Sequence, residues 1–143
     1  MTEAAQKIRV GARWSSTPYV LDDASAERYG KAIESPPRRS PRRGIHDDEQ
    51  AARTAGFSKP IAAGEQTVAV IAQFLADKFG MHFLRGGRID IALTKPVFFG
   101  DTLISHVEVE AVEDGRATLR IKVENQRGES ALIGAAALRI DPA

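Results

Sequence analysis

A histidine and a few nearby carboxylates are the side chains in this sequence that could move a proton. The ordinary pKa of histidine, about 6.5, lets an imidazole accept or donate a proton near neutral pH. His46 is therefore a candidate acid or base, although its position alone would equally suit a surface histidine ahead of a helix. The carboxylates that could work with it are Glu34, Asp47, Asp48 and Glu65.

Three of these carboxylates also have structural explanations. Asp47 and Asp48 suit the cap and first turn of a predicted helix, and Glu34 suits the solvated end of another. Glu65 differs because it falls in the first turn of a helix that is apolar on many sides. An unpaired carboxylate there would be costly unless it bordered a cavity or had a partner, so we expect Glu65 to line a pocket.

The other histidines and the absence of cysteine offer no second site. His82 falls in a predicted loop and His106 on the polar face of a predicted strand, so both are expected to be solvated. With no cysteine, the sequence excludes disulfides and thiolate chemistry. We expect neither a metal site nor a cofactor.

The first half of the chain predicts helices that could position these groups. Asp47 is the expected cap of the middle helix and Gly56 its stop signal. In order, the elements are an interrupted strand within 8–21, a helix at 24–33, a loop at 35–44 with three prolines and four arginines, a short helix at 47–56 and a long apolar helix at 65–80.

The second half alternates apolar and polar residues with a period of two, which is typical of strands. These segments are 88–99, 102–113, 117–126 and 130–140, with turn signals at Asp114-Gly115 and Arg127-Gly128. Helices followed by an antiparallel sheet indicate an α+β fold. The apolar helix is most easily buried if the sheet curls around it, which predicts a hot-dog fold in a single domain spanning 1–143.

Charge and hydropathy restrict the partners. Lysine and arginine number 20 against 19 acidic residues, so no overall field favours nucleic acid. The N-terminus has no signal-peptide core, and no stretch reaches the roughly 20 apolar residues that span a bilayer. We expect a soluble, cytoplasmic protein without a membrane partner, which pairs its exposed sheet edge with a second copy as a homodimer.

Two segments carry a family resemblance, GIHDDEQAARTAGFSKPIAAG at 44–64 and KPVFFGDTL at 95–103. They resemble the MaoC-like family, which includes R-specific enoyl-CoA hydratases. Their order and spacing match the family's histidine before a short helix, its turn into the central helix and its Pro-Val-Phe-x-Gly-Asp strand end. The resemblance implies an enzyme that acts on an acyl thioester of coenzyme A or of an acyl carrier.

The sequence departs from the family at the catalytic positions. The family's aspartate stands five residues before the histidine, and Pro41 occupies that position here. Ala63 stands where the family usually has histidine, and Glu65 stands where it has an apolar residue. The usual acid or base is therefore missing, while a new carboxylate has appeared.

The resemblance also assigns roles to individual residues. His46 and Glu65 become the candidate acid/base pair, and the backbone at Ala63 and Gly64 would face the thioester carbonyl oxygen. Arg42 and Arg43, with Arg38 and Arg39, could contact coenzyme A phosphates, although a solvated loop explains them too. Nucleic-acid binding is less favoured because no aromatic side chain interleaves the arginines.

Several functions remain open at this stage. The leading one is a hydro-lyase, an enoyl-CoA hydratase or hydroxyacyl dehydratase with a rearranged acid/base pair. The alternatives are a thioesterase in which Glu65 activates water, a non-catalytic acyl-binding subunit of a heteromeric hydratase, and a related scaffold repurposed for specialised metabolism. The acyl chain, the carrier and the direction of reaction stay undetermined.

Overall fold

The computed structural model describes residues 8–33 and 44–140. Helices precede most of the sheet, as expected. The strands are β1 (Arg13–Ser15), β2 (Tyr19–Val20), β3 (Arg88–Leu93), β4 (Thr102–Glu113), β5 (Arg116–Asn125) and β6 (Ser130–Arg139). The helices are α1 (Asp23–Ile33), α2 (Glu49–Thr54), α3 (Gly64–Phe79) and α4 (Met81–Leu84).

The strands form one antiparallel sheet in the order β1-β4-β5-β6-β3, and β2 pairs with β4. The predicted alternation is confirmed on the central strands, where Val107, Val109, Leu119 and Ile121 are all buried. Strand β3 is shorter than predicted and ends before Pro96, because proline cannot donate to a ladder.

Helix α3 packs one stripe of its surface against the sheet. Ile71, Leu75 and Phe79 recur every four residues and are buried, and Trp14 of β1 meets the Phe79 ring edge-to-face at 5.4 Å. The expected α+β hot-dog architecture is confirmed. The opposite side of α3 is more open than its apolar composition suggested, because Ala69 and Gln73 are exposed.

Three local expectations were wrong or fall outside the described residues. His82 lies in α4 rather than in a loop. Asp48, not Asp47, caps α2, because its Oδ1 accepts the Ala51 N–H at 2.7 Å. The arginine- and proline-rich loop lies outside the described residues except for Gly44.

Within residues 8–33 and 44–140, no helix is both long enough and apolar enough to cross a membrane.

Candidate active site

A cavity of about 320 Å³ brings His46 and the start of α3 together. Its wall consists of His46, Phe57, Ile61, Ala62, Gly64, Thr67, Leu93, Thr94, Lys95, Pro96 and Val97. These residues come from the turn before α2, the segment between α2 and α3, the first turn of α3, and the end of β3 with the residues that follow it. Residues far apart in sequence therefore form one site.

Backbone hydrogen bonds hold these segments in place. The Ile61 N–H donates to the Ile45 carbonyl at 3.0 Å, and the Ala62 N–H donates to the Val97 carbonyl at 2.8 Å. The residues just before α3 are thus tied on one side to the histidine turn and on the other to the segment after β3. The cavity has a fixed backbone frame.

The ring of His46 is oriented by its own contact with this frame. Its Nδ1 lies 2.8 Å from the Ile61 carbonyl oxygen. Because a carbonyl can only accept, Nδ1 carries the hydrogen, and in the neutral ring Nε2 holds a free lone pair. No described residue is hydrogen-bonded to Nε2, and the side chain is exposed. The ring is therefore arranged as a proton acceptor at the cavity.

The N-terminus of α3 supplies hydrogen-bond donors to the same cavity. Ala63 is the N-cap residue and is half-buried, and its side chain cannot satisfy the first N–H groups of the helix. In the described part of the chain, the Gly64 N–H has no backbone acceptor. A helix N-terminus favours a partial negative charge, so this end of α3 can bind a developing oxyanion.

Gly64 brings the backbone of α3 close to the Leu93 side chain. A Cβ atom at this position would lie 2.6 Å from Cδ1 of Leu93, across the cavity wall. A side chain at this position would require Leu93 to rotate away from the helix start.

Glu65 does not line the cavity of His46. Its side chain is exposed, so the desolvation cost that suggested a pocket position does not arise. It lies close enough to Tyr29 of α1 for its charge to act on that hydroxyl: burial raises the pKa of Tyr29, and the negative charge of Glu65 raises it further. The structure does not bring Glu65 together with His46.

The remaining carboxylate candidates have structural partners or lie outside the described residues. Asp47 Oδ1 accepts the Gly44 N–H at 2.7 Å, and Asp48 caps α2. Glu34 and Pro41 lie outside the described residues, as do the four arginines at positions 38, 39, 42 and 43. Among the described residues, no carboxylate lines the cavity of His46.

Sequence reasoning missed several cavity residues. Thr67, Leu93 and Thr94 line the wall but belong to no recognisable motif, and Lys95 begins the KPVFFGDTL segment but was not singled out. Thr94 is held by a hydrogen bond from Oγ1 to the Ser130 carbonyl, 2.5 Å. Thr67 follows Gly64 by three residues, and this helical spacing is the one signal that could have placed both residues on the same face of α3.

The other histidines lie away from this cavity. His82 Nδ1 lies 2.8 Å from the Arg139 carbonyl oxygen. His106 is only partly exposed. Its Nδ1 lies 2.8 Å from Ser15 Oγ, and its Nε2 lies 2.9 Å from Glu124 Oε2. Both side chains are half-exposed, and each has a hydrogen-bond partner in addition to solvent.

Asp101, in the Gly-Asp pair after the Val-Phe-Phe segment, does not line the cavity but holds the turn next to its wall residue Val97 in place. It is 3% exposed and binds Arg127 at 2.9 and 3.2 Å, the Gln126 amide, and the Phe98 N–H. Burial alone raises its pKa, but these hydrogen bonds outweigh burial and the pKa of Asp101 falls below its usual value. This anchor fixes the turn that follows Val97.

Comparison with known proteins matches the MaoC like domain family to residues 43–130, more than half of the chain. The chain belongs to the MaoC-like domain family. An (R)-specific enoyl-CoA hydratase of Aeromonas caviae is 25% identical over 144 residues, covering 96% of this chain and 95% of the hydratase.

Solved structures of the family share the fold. The unliganded R-hydratase PhaJ1 from Pseudomonas aeruginosa aligns with a TM-score of 0.74 at 22% identity, over 94% of this chain and 83% of that one. The ChsH1-ChsH2 complex from Mycobacterium tuberculosis aligns with a TM-score of 0.73 at 20% identity, over 93% and 98%. The resemblance found in the sequence is thereby confirmed, and it places this MaoC-like chain in a hydratase and dehydratase family.

Proposed function

We propose that this MaoC-like protein is a hydro-lyase that adds water to an enoyl thioester, or removes it from the 3-hydroxyacyl thioester, with His46 as the proton-transfer group. One observation carries the proposal: His46 Nδ1 is fixed on the Ile61 carbonyl, and the imidazole lines the same cavity as the start of α3. A base and an oxyanion site are the two parts that this reaction needs.

The reaction follows from this arrangement. His46 Nε2 takes a proton from water as the water oxygen bonds to the β-carbon of the enoyl thioester. The double-bond electrons move toward the carbonyl, and the negative charge on the thioester oxygen is stabilised by the Gly64 N–H and the helix dipole. Return of the proton from His46 to the α-carbon completes the addition of one water molecule.

This mechanism assigns both proton transfers to one histidine. It accounts for a cavity whose described lining contains no carboxylate, with Pro41 in the position of the family aspartate. Glu65 then acts only indirectly or not at all in this chain, which contrasts with the acid/base pair suggested by the sequence.

The test is incubation with crotonyl-CoA, following loss of the enoyl absorbance and release of free thiol in parallel. Loss of absorbance without thiol is the expected result. His46→Gln should lower kcat by at least about 100-fold, the usual range for a general acid or base. The melting temperature should change little because the histidine side chain is exposed.

His82→Gln is the matched control for this variant. His82 Nδ1 also lies 2.8 Å from a backbone carbonyl oxygen, as His46 Nδ1 does, but His82 does not line the cavity. It should keep full activity. Equal losses in the two variants, or an unaffected His46→Gln, would remove His46 from the mechanism.

Coenzyme A recognition is proposed for Arg42 and Arg43, since arginine binds phosphates through paired hydrogen bonds. Alanine at both positions should raise KM for crotonyl-CoA several-fold and leave KM for crotonyl-pantetheine, which lacks the nucleotide phosphates, unchanged. An equal rise for both substrates would instead indicate a disturbed cavity.

A second candidate is a subunit that completes its site in a two-component complex. The absence of a carboxylate among the described cavity residues favours it, and one structural relative is itself the ChsH1-ChsH2 complex. If the purified chain binds thioesters but shows no activity with crotonyl-CoA, this candidate is favoured. Thiol release abolished by Glu65→Gln would favour the thioesterase alternative.

A further inference from the structure

A threonine in the wall of the His46 cavity has a hydroxyl that no other described residue binds. Thr67 is 3% exposed and lines this cavity together with Gly64. Its Oγ1 has no hydrogen-bond partner among the described residues, whereas Thr94 Oγ1, in the same wall, donates to the Ser130 carbonyl at 2.5 Å. A buried hydroxyl without a partner costs free energy, which a water or ligand bonded to it recovers.

Thr67 is the polar member of an otherwise apolar stripe on α3. The stripe runs at four-residue intervals, and its other members, Ile71, Leu75 and Phe79, are buried against the sheet. Valine has nearly the same shape as threonine and would fill this position without a hydroxyl to satisfy. Packing alone therefore does not explain a threonine here.

The hydroxyl belongs to one of two cavities that flank α3. A second, larger cavity of about 660 Å³ lies on the other side of the helix, with Gln66 and Ala69 in its wall but not Thr67. Neighbouring residues of one helical turn thus face different spaces. Thr67 faces the space that His46 and Gly64 line.

The water that attacks an enoyl thioester needs more than one contact to be held in place. An ordered water in a protein makes about three hydrogen bonds. His46 Nε2 can accept one hydrogen from it, and none of the described cavity residues is a carboxylate that could accept the other. A hydroxyl can accept that second hydrogen, and because it rotates, it can equally donate to a departing oxygen.

We infer that Thr67 binds the oxygen that is added to or removed from the β-carbon, as water in hydration and as the 3-hydroxyl group in dehydration. The inference rests on the proposed function and assigns the second contact of that oxygen. In hydration the water gives one proton to His46 Nε2, its other O–H donates a hydrogen bond to Thr67 Oγ1, and its oxygen bonds to the β-carbon. Thr67 neither gains nor loses a proton.

Thr67→Val tests this with a side chain of nearly unchanged shape. Its kcat for crotonyl-CoA should fall about tenfold, the effect of one hydrogen bond of ordinary strength. Its melting temperature should hold or rise, because an unpaired buried hydroxyl is removed. Thr67→Ser keeps the hydroxyl and should recover most of the rate. Thr54→Val is the matched control, because Thr54 is exposed on α2 and its Oγ1 donates to the Gln50 carbonyl at 2.8 Å. Its rate should not change.

Binding measured without turnover gives a second readout. In the His46→Gln protein, titration calorimetry would compare butyryl-CoA with each enantiomer of 3-hydroxybutyryl-CoA. At least one enantiomer should bind about tenfold more tightly than butyryl-CoA, because its hydroxyl occupies the position of the water. Adding Thr67→Val should abolish that preference.

The outcomes separate this inference from the proposed reaction. An unchanged rate in Thr67→Val, a loss that Thr67→Ser does not restore, equal affinity for the compounds, or a preference that survives Thr67→Val would each overturn the inference. Crotonyl-CoA hydration by the unaltered protein decides the reaction separately. Hydration that is indifferent to Thr67→Val would keep the proposed function and remove the inference. A preference that depends on Thr67 in a protein without hydration activity would do the reverse.

Discussion

At the scale of single residues, the distinctive feature is a histidine oriented by a peptide carbonyl. His46 Nδ1 donates to the Ile61 carbonyl, a neutral acceptor that fixes the tautomer without adding a negative charge. The ring is thus oriented by the backbone clamp before α3. In a cavity whose described lining has no carboxylate, this contact is what leaves Nε2 as the proton acceptor of the neutral ring.

Gly64 permits a specific prediction at the oxyanion site. In Gly64→Ala the new Cβ would lie 2.6 Å from Leu93 Cδ1, so the leucine must move within the cavity wall. Leu93 is 50% exposed and can rotate, and alanine favours the helix more than glycine, so stability should hold. We expect kcat/KM for crotonyl-CoA to fall by about tenfold or more, since small displacements at a reacting centre are costly.

The double variant Gly64→Ala/Leu93→Ala identifies the cause of this loss. Removing the leucine side chain removes the clash, so activity should return toward that of Leu93→Ala alone. Thermal denaturation of each variant would accompany the kinetics. A loss of activity that persists without Leu93 would place the effect in the helix backbone instead.

At the scale of elements, two turns are tied together by the buried Asp101. The residue ends the segment before β4, and its partners Gln126 and Arg127 belong to the β5–β6 turn. We expect Asp101→Asn to lower the free energy of unfolding at pH 7 by about 2 kcal/mol, the scale of hydrogen bonds to a charged group. Urea denaturation would measure it.

The effect should depend on pH in a defined direction. The folded-state pKa of Asp101 lies below the ordinary aspartate value of about 3.9, so the stabilisation is present above that value. It is lost as pH falls through the folded-state pKa, and the two proteins should converge in acid. Glu113→Gln is the control, because this carboxylate is exposed and makes no side-chain hydrogen bond or ion pair with the described residues.

Most elements could be predicted from the sequence because their patterns have a local cause. The period of two places Val107 and Ile121 inside, and turns such as Asp114-Gly115 require residues that tolerate positive φ. Such signals do not depend on distant parts of the chain. The alternation was therefore correct on β4 and β5, whereas the end of β3 was overestimated.

The candidate site was harder to predict because it depends on which side of a helix meets which loop. Each residue turns an α-helix by about 100°. Gly64 and Thr67 therefore face His46, whereas Glu65 is rotated toward Tyr29. The sequence shows that Glu65 directly follows Gly64, but it does not show which side of α3 faces which neighbour. Packing of the helix against α1 and the sheet determines that side.

At the scale of the whole molecule, α3 separates two cavities near opposite ends of the sheet. The His46 cavity lies at the β3 end, where Leu93 is in its wall, and the larger cavity lies at the β1 and β2 end. Gly64 and Thr67 at the helix start line the His46 cavity, whereas Gln66 and Ala69 line the larger cavity.

The β3 edge of the sheet predicts self-association. Strand β3 pairs with β6 on one side and has no neighbour on the other in the part of the chain described, and exposed Leu93 ends this strand. Because an open edge is a template for another strand, we propose that two copies pair their β3 edges. Light scattering after gel filtration should then give twice the 15.5 kDa of one chain.

A charge placed on the edge strand tests where the two copies meet. Ala92 of β3 is exposed, so Ala92→Glu should be tolerated by the fold but should place two like charges close together at a symmetric β3 interface. The measured mass should fall toward that of one chain. Thr118→Glu, exposed on β5 two strands away from that edge, is the matched control and should remain dimeric. An unaltered protein that is monomeric would refute self-association, and a dimer unaffected by Ala92→Glu would move the interface away from β3.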